Sequence, residues 1–298
     1  MPVFQSSSIR SLIIAALCAL LTLASGCSAV RIGYSQGADL AYWWLDAYAD
    51  FNDSQTPRVR EALAQWFAWH RRTQLPDYAT QFVRAQAEVL ADTSAARVCE
   101  WQGEFVKRAQ TAFDRAAPAA AELLPTLTPQ QIAHIERRYA KTNDEFREDF
   151  LQPDPAKRMA ANVKRTVDRA EMLYGRLDDE QRARIATALV RSPFDAEVWF
   201  AERRQRQQDA LQMLRRLAAP GTSRDQAQAA LRVYAEWLQR SPREPYRRYV
   251  HQLEEFNCGF AANLHNATTT AQRRAAADKL AGWLGDLRYL AAAADPVN

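Results

Sequence analysis

Three stretches of the chain concentrate side chains able to do chemistry. Trp66-Phe67-Ala68-Trp69-His70-Arg71-Arg72 sets cations among aromatic rings. Such a surface recognises anions or stacked rings, so Trp69, His70, Arg71 and Arg72 are candidate ligand contacts. Nothing nearby supplies a nucleophile for His70 to activate. A packed helix end with cations at its C-terminus is the plainer alternative. The second stretch is Glu202-Arg203-Arg204-Gln205-Arg206-Gln207-Gln208-Asp209, polar on every face for two turns. Trp199, Arg203, Arg206, Ala210, Met213 and Leu217 share one stripe at helical spacing. Arg203 and Arg206 therefore face inward if this helix is packed, and buried arginines require carboxylate partners. The alternative is a helix that leaves the body and projects into solvent. The third feature is a pair of basic clusters, Lys157, Arg158, Lys164, Arg165 and Arg169, then Arg240, Arg243, Arg247 and Arg248. Arginine suits phosphate and carboxylate recognition, although a solvated helix face laced by i,i+4 ion pairs gives the same pattern.

Signatures of the common enzyme classes are missing. There is no Gly-x-Ser-x-Gly, no His-Glu-x-x-His, no P-loop and no dinucleotide glycine fingerprint. The four histidines, His70, His134, His251 and His265, are scattered, and no pair of carboxylates stands out for acid–base work. No catalytic residue, metal site or cofactor is expected. The formal charge of +4, from 39 basic and 35 acidic residues, is too small an excess to point to nucleic acid.

Helices must position these residues. Alanine, leucine, arginine and glutamine dominate, all strong helix formers, while glycine supplies only 9 of 298 residues. No alternation of apolar and polar residues is long enough for a strand. Proline and capping residues punctuate the chain. Thr128-Pro129-Gln130-Gln131 is a complete start signal, and Asp178, Ser223 and Thr269 each precede a glutamine by three residues in the same reciprocal geometry. Asp154-Pro155 and Thr56-Pro57 read as further cap-plus-proline starts. Helices are expected at 37–50, 56–74, 76–91, 94–117, 128–151, 155–176, 178–191, 194–218, 223–240, 245–265 and 269–293. Short connections make neighbours antiparallel. The expectation is an all-α, single multi-helix bundle of ten or eleven helices, without a domain linker. The segment Leu40–Tyr48 carries four aromatic residues. It reads either as a helix closing the core or as one lying at a bilayer interface, where Trp and Tyr are favoured.

The N-terminus and the cysteines bear on location. Arg10 precedes an apolar run, Leu12 to Leu23, that is too short to span a bilayer core of ~30 Å. Small residues and a cysteine follow, which is the layout of a secretory signal. Leu23-Ala24-Ser25-Gly26-Cys27 resembles the bacterial lipobox, with Ala24 where that pattern usually has leucine. The resemblance implies cleavage before a lipidated Cys27, a signal peptide over 1–26, and one periplasmic helical domain over 27–298. Ser28 after the cysteine implies sorting to the outer membrane. Cys99 and Cys258 are the remaining cysteines of the exported part. In an oxidising compartment they are expected to form a disulfide, with two separate buried thiols as the alternative. Metal-ligand spacing does not accompany them.

Taken together, these residues resemble an uncharacterised family of proteobacterial lipoproteins (DUF6279-like). The resemblance runs from Cys27 to about residue 292. Its marks include Arg31-Ile32-Gly33-Tyr34, Trp44-Leu45-Asp46-x-Tyr48, Trp69-His70-Arg71-Arg72-x-x-Leu75-Pro76-x-Tyr78, Leu127-Thr128-Pro129-x-Gln131 and His265-Asn266-x-Thr268-Thr269-x-x-Gln272-Arg273. No activity comes with the family. The repeated cap-x-x-Gln form is what capping boxes alone would generate, and it also resembles the periplasmic LTxxQ helical proteins, which include a small chaperone. The function expected is a lipid-anchored periplasmic binding or scaffold protein, engaging an envelope protein, an anionic lipid or a cell-wall component. A chaperone of the LTxxQ kind and an enzyme with an unrecognised site are the alternatives. The sequence leaves the oligomeric state undetermined.

Overall fold

Capping residues decide where the helices begin. In the computed structural model, which describes residues 29–293, Thr128, Asp178, Ser223 and Thr269 each accept from the backbone N–H of the glutamine three residues on, and each glutamine side chain accepts from the cap's own N–H. All four expected capping boxes form. Asp154 likewise accepts from Ala156 and Lys157. The expected signal segment and Cys27 lie outside the described residues.

Among those residues the chain forms α1 (Ala29–Ser35), α2 (Gly37–Ala49), α3 (Thr56–Glu88), α4 (Ala95–Leu123), α5 (Pro129–Phe150), α6 (Pro155–Tyr174), α7 (Asp179–Val190), α8 (Ala196–Leu217), α9 (Arg224–Gln239), α10 (Glu244–Asn266) and α11 (Thr270–Ala292), with no strand. A 3-10 turn, Leu124–Thr126, joins α4 to α5. The all-α bundle class is borne out, and most boundaries fall within two residues of those read from sequence.

Four details differ, the first being α1, for which no helix was expected. Pro76 does not divide two helices but lies inside α3. Proline removes one intrahelical hydrogen bond and usually breaks a helix. Here packing against α11 outweighs that loss. Arg71 Nη1 donates to the Ala293 carbonyl at 3.3 Å before the proline. Beyond it, Phe82 meets Trp283 edge-on and Gln86 Nε2 donates to the Ala277 carbonyl at 3.3 Å. These pairs descend in α11 as they ascend in α3, so the two helices are antiparallel and are fastened on both sides of the exposed proline. Pro118 is likewise carried inside α4, whose buried Ala117 and Ala121 hold its last turns in the core. Finally, Thr56 is not a cap. Asn52 Oδ1 accepts from the N–H groups of Ser54 and Gln55, while the Thr56 hydroxyl pairs with Tyr42 at 3.1 Å.

The 33-residue α3 is about 50 Å long at 1.5 Å per residue. It packs along α11, and α4 packs along α9 and α10. Two hydrophobic cores sit on this frame. One gathers Ala121, Leu127, Ile132, Ile135, Leu211, Leu214, Leu217 and Leu231 from α4, α5, α8 and α9. The other gathers Val167, Ala170, Leu177 and Ile185, with Phe260 and Leu264 against them. Buried glutamines tie helix starts to other elements. Gln131 Nε2 donates to the carbonyls of Ala49 and Asp50 at 3.0 and 2.9 Å. Gln181 and Gln272 each donate to the other's Oε1, at 2.7 and 2.9 Å. The cap-x-x-Gln pattern thus does two jobs: the glutamine oxygen closes its own helix and the nitrogen fastens a second one.

Cys99 in α4 and Cys258 in α10 form the expected disulfide, with Cα atoms 5.5 Å apart.

A candidate binding cavity

The interior between α2, α3, α4, α5 and α8 is not filled. A cavity of about 1120 Å³ remains there, slightly above the ~300–1,000 Å³ usual for small-molecule sites. Particular side chains shape it once the helices are in place. The α4 wall facing it is short-chained, with Ala116, Ala119 and Ala120, and cannot reach the opposite side. Gly37 lets the start of α2 close onto α3, since a Cβ there would lie 2.5 Å from Phe67 Cε1. Trp66 Nε1 donates to the Ala112 carbonyl at 3.0 Å and pins α3 to α4. The walls are otherwise aromatic and aliphatic, including Leu63, Trp66, Tyr139 and Tyr234.

The polar part comes from α8. This helix does not project into solvent. Phe200, Ala210, Leu211, Met213, Leu214 and Leu217 are buried along it, and of its two inward arginines Arg206 has a carboxylate partner. Glu202, 5% exposed, accepts from Arg206 Nε at 2.9 Å and from Arg243 Nε and Nη2 at 2.7 and 2.9 Å. Arg243 Nη1 reaches Asp209 at 2.9 Å. Burial is the largest influence on the Glu202 carboxyl and raises it, yet hydrogen bonds from Arg243, Arg206 and Ser241 together hold it below the ordinary glutamate value. Arg203 is bound differently. Its Nε donates to Asn143 Oδ1 at 3.0 Å and its Nη2 to Thr142 Oγ1 at 3.1 Å. Gln207 holds Asn143 in place through two amide hydrogen bonds, at 2.8 and 3.0 Å. Burial pushes the hydroxyls of Tyr234 and Tyr246 up to about 12 and raises Tyr139 as well. All three stay protonated, in surroundings where charge is poorly solvated.

The other candidate contacts lie elsewhere. Of the stretch from Trp66 to Arg72, only Trp66 and Phe67 line the cavity. His70 is buried under α1. Its ring stacks on Trp66 at 4.8 Å, and Nδ1 is 2.8 Å from the Tyr34 hydroxyl. Burial lowers the His70 pKa and lifts that of Tyr34 to about 12, so a neutral imidazole faces a protonated phenol. Arg71 sits over the Tyr34 ring, Trp69 lies below the Arg115 guanidinium, and Arg72 is exposed. His70 and Arg71 belong to the seam between α1, α3 and α11, Trp69 faces α4 and Arg72 faces solvent, and the structure joins only Arg203 and Arg206 in one site.

Sequence reasoning missed Tyr139, Tyr234, Tyr246 and Asn143. They come from α5, α9 and α10, and apart from Tyr139 and Asn143, one helical turn apart on α5, no spacing relates them along the chain. The one available signal was the requirement that inward arginines find carboxylates. It pointed to Glu202, on the same helix as Arg206, but not to Arg243.

Among the described residues no group of three or more His, Cys, Asp or Glu could hold a metal ion, and no helix is long and apolar enough to cross a membrane. No curated protein and no solved structure matches the chain. One family profile does, over residues 47–237. That span holds every cavity-forming helix except the first part of α2 and α10, and it excludes the motif quoted above at residues 265–273. The chain therefore belongs to the family of unknown function DUF6279.

Proposed function

We propose that the protein is a non-enzymatic binding protein of the bacterial envelope, holding a partly apolar ligand in the cavity between α2, α3, α4, α5 and α8. The observation that carries this reading is the cavity itself. An unfilled interior of about 1120 Å³ forgoes packing contacts that a chain this rich in leucine could make, and it holds arginines fixed by hydrogen bonds. The envelope location rests on the lipobox-like end at Cys27, which would tether the chain to the inner leaflet of the outer membrane, facing the periplasm. Two features support it. A disulfide persists in an oxidising compartment. Trp43 and Trp44, 60% and 62% exposed, stand on α2 close to the N-terminal end, and such rings suit the headgroup region.

Titration of the full chain with the uncharged dye Nile red, which fluoresces in apolar surroundings, tests the cavity. The expected result is uptake of one dye per chain, weakened in Ala62→Trp, whose indole occupies part of the space. Absence of uptake, or uptake equal in wild type and Ala62→Trp, overturns the reading. The tether has its own test. Cys27→Ala should move the protein from the membrane fraction to the soluble periplasmic fraction, and unchanged membrane association would remove the lipid anchor.

A further inference from the structure

The charge around the cavity is one-sided. Five arginines (Arg58, Arg115, Arg203, Arg206 and Arg224) line it against two glutamates, Glu122 and Glu202. Both glutamates are already neutralised. Glu122 pairs with Arg224 at 3.0 Å, and Glu202 is shared by Arg206 and Arg243. Among the described residues, no carboxylate lies within ion-pair distance of Arg58, Arg115 or Arg203. Arg203 is the informative one. Two of its nitrogens are fixed by the neutral oxygens of Asn143 and Thr142, so its orientation is set while its charge is uncompensated. A cation left this way beside apolar walls is unfavourable unless an anion joins it. Arg206 stands one helical turn on, along the same face. Guanidinium groups bind carboxylate or phosphate oxygens through charge-assisted, geometrically matched hydrogen bonds. Much of the remaining wall, Leu63, Trp66, Leu123 and Tyr139 among it, is aliphatic or aromatic and suits hydrocarbon.

We propose that the cavity takes a single-chain anionic amphiphile, its carboxylate or phosphate head on Arg203 and Arg206 and its hydrocarbon tail along the aromatic and aliphatic wall. This deepens the binding-protein reading and rests on it. Trp44 is both a cavity-lining residue and 62% exposed. The cavity therefore opens beside α2, which follows directly on α1 and so stands close to the expected membrane tether, where a lipid-derived ligand would enter.

The test is a fluorescence titration of the full chain, freed of detergent, with palmitate, lysophosphatidate, 1-hexadecanol and inorganic phosphate. The anionic amphiphiles are expected to bind at least tenfold more tightly than hexadecanol, and phosphate alone not at all at comparable concentration. Comparing palmitate with lysophosphatidate tells which head is preferred. Between laurate, myristate and palmitate, affinity should rise roughly tenfold for every two methylenes. Arg203→Gln should weaken palmitate binding about tenfold and leave hexadecanol within twofold, and Arg203→Lys should restore part of the loss. Equal binding of palmitate and hexadecanol, or affinity flat with chain length, overturns the anionic-amphiphile assignment. So does Nile red uptake with no amphiphile bound, and in all three cases the binding-protein reading stands. If neither Nile red nor any amphiphile binds, both fall. The comparison of ligands on wild type needs no variant and stands even if Arg203→Gln fails to fold.

Discussion

Glu202→Ala is expected to destabilise the fold by about 3 kcal/mol, near the lower end of the ~3–5 kcal/mol typical when one partner of a buried ion pair is removed. The carboxylate is shared by two guanidinium groups from different parts of the chain. Arg206 belongs to its own helix, and Arg243 comes from the connection that leads into α10. Without Glu202, Arg206 is left half-buried with no carboxylate. Arg243 keeps Asp209 at 2.9 Å, and both arginines retain some contact with solvent, which limits the loss. Glu202→Gln keeps the shape and one acceptor, so it should lose less than the alanine variant. Urea unfolding followed by circular dichroism measures the difference, and a loss for Glu202→Ala below about 1 kcal/mol would show the network to be energetically idle. The pH dependence has a definite sign. The carboxyl titrates lower in the folded chain than in the unfolded one, so its stabilisation is complete above the ordinary glutamate range and disappears as pH falls through the folded value. The gap between wild type and Glu202→Ala should therefore close on acidification.

Why that network could not be read from sequence shows where sequence reasoning stops. Helix ends were legible because capping is local. A cap, three residues and a glutamine determine a start, and all four such boxes formed with both hydrogen bonds. Apolar periodicity was legible for the same reason. The stripe that Arg203 and Arg206 share with Trp199, Ala210, Met213 and Leu217 offered the inward direction, but left a helix projecting into solvent as the alternative. Pro76 failed as a boundary because its effect depends on a partner more than 190 residues away in α11. The role of His70 was misleading in another way. Cations and aromatics around it look like a recognition surface, but Tyr34, from a helix not anticipated by sequence, covers the ring. The cavity is the extreme case. It is a space, formed where α2, α4 and α8 leave a gap, and no residue pattern marks a gap.

Removing the Cys99–Cys258 bridge should lower stability by about 2–5 kcal/mol and do so mainly through the unfolded chain. The bridge spans a sequence separation of 159 residues. Chain-entropy arguments put the stabilisation from so long a loop near ~5 kcal/mol, an upper figure because measured values fall short of it. The loop contains α5 to α9, hence Glu202, Arg203 and Arg206 of the cavity wall. The folded state has little reason to change, since α10 packs along α4 independently of the sulfurs. Three consequences separate this account from loss of a native contact. The double variant Cys99→Ala/Cys258→Ala should keep its native circular dichroism spectrum without denaturant. Its urea midpoint should fall to that of the wild type under reducing conditions. Its dependence on urea should steepen, because an unbridged unfolded chain exposes more surface. Alkylation before and after reduction of the wild type should differ by two thiols. An unchanged midpoint on reduction, or equal labelling, would mean that the bridge does not hold the chain. A lowered midpoint with an unchanged slope would move the effect into the folded state, where Cys258 is 1% exposed and its replacement leaves a cavity.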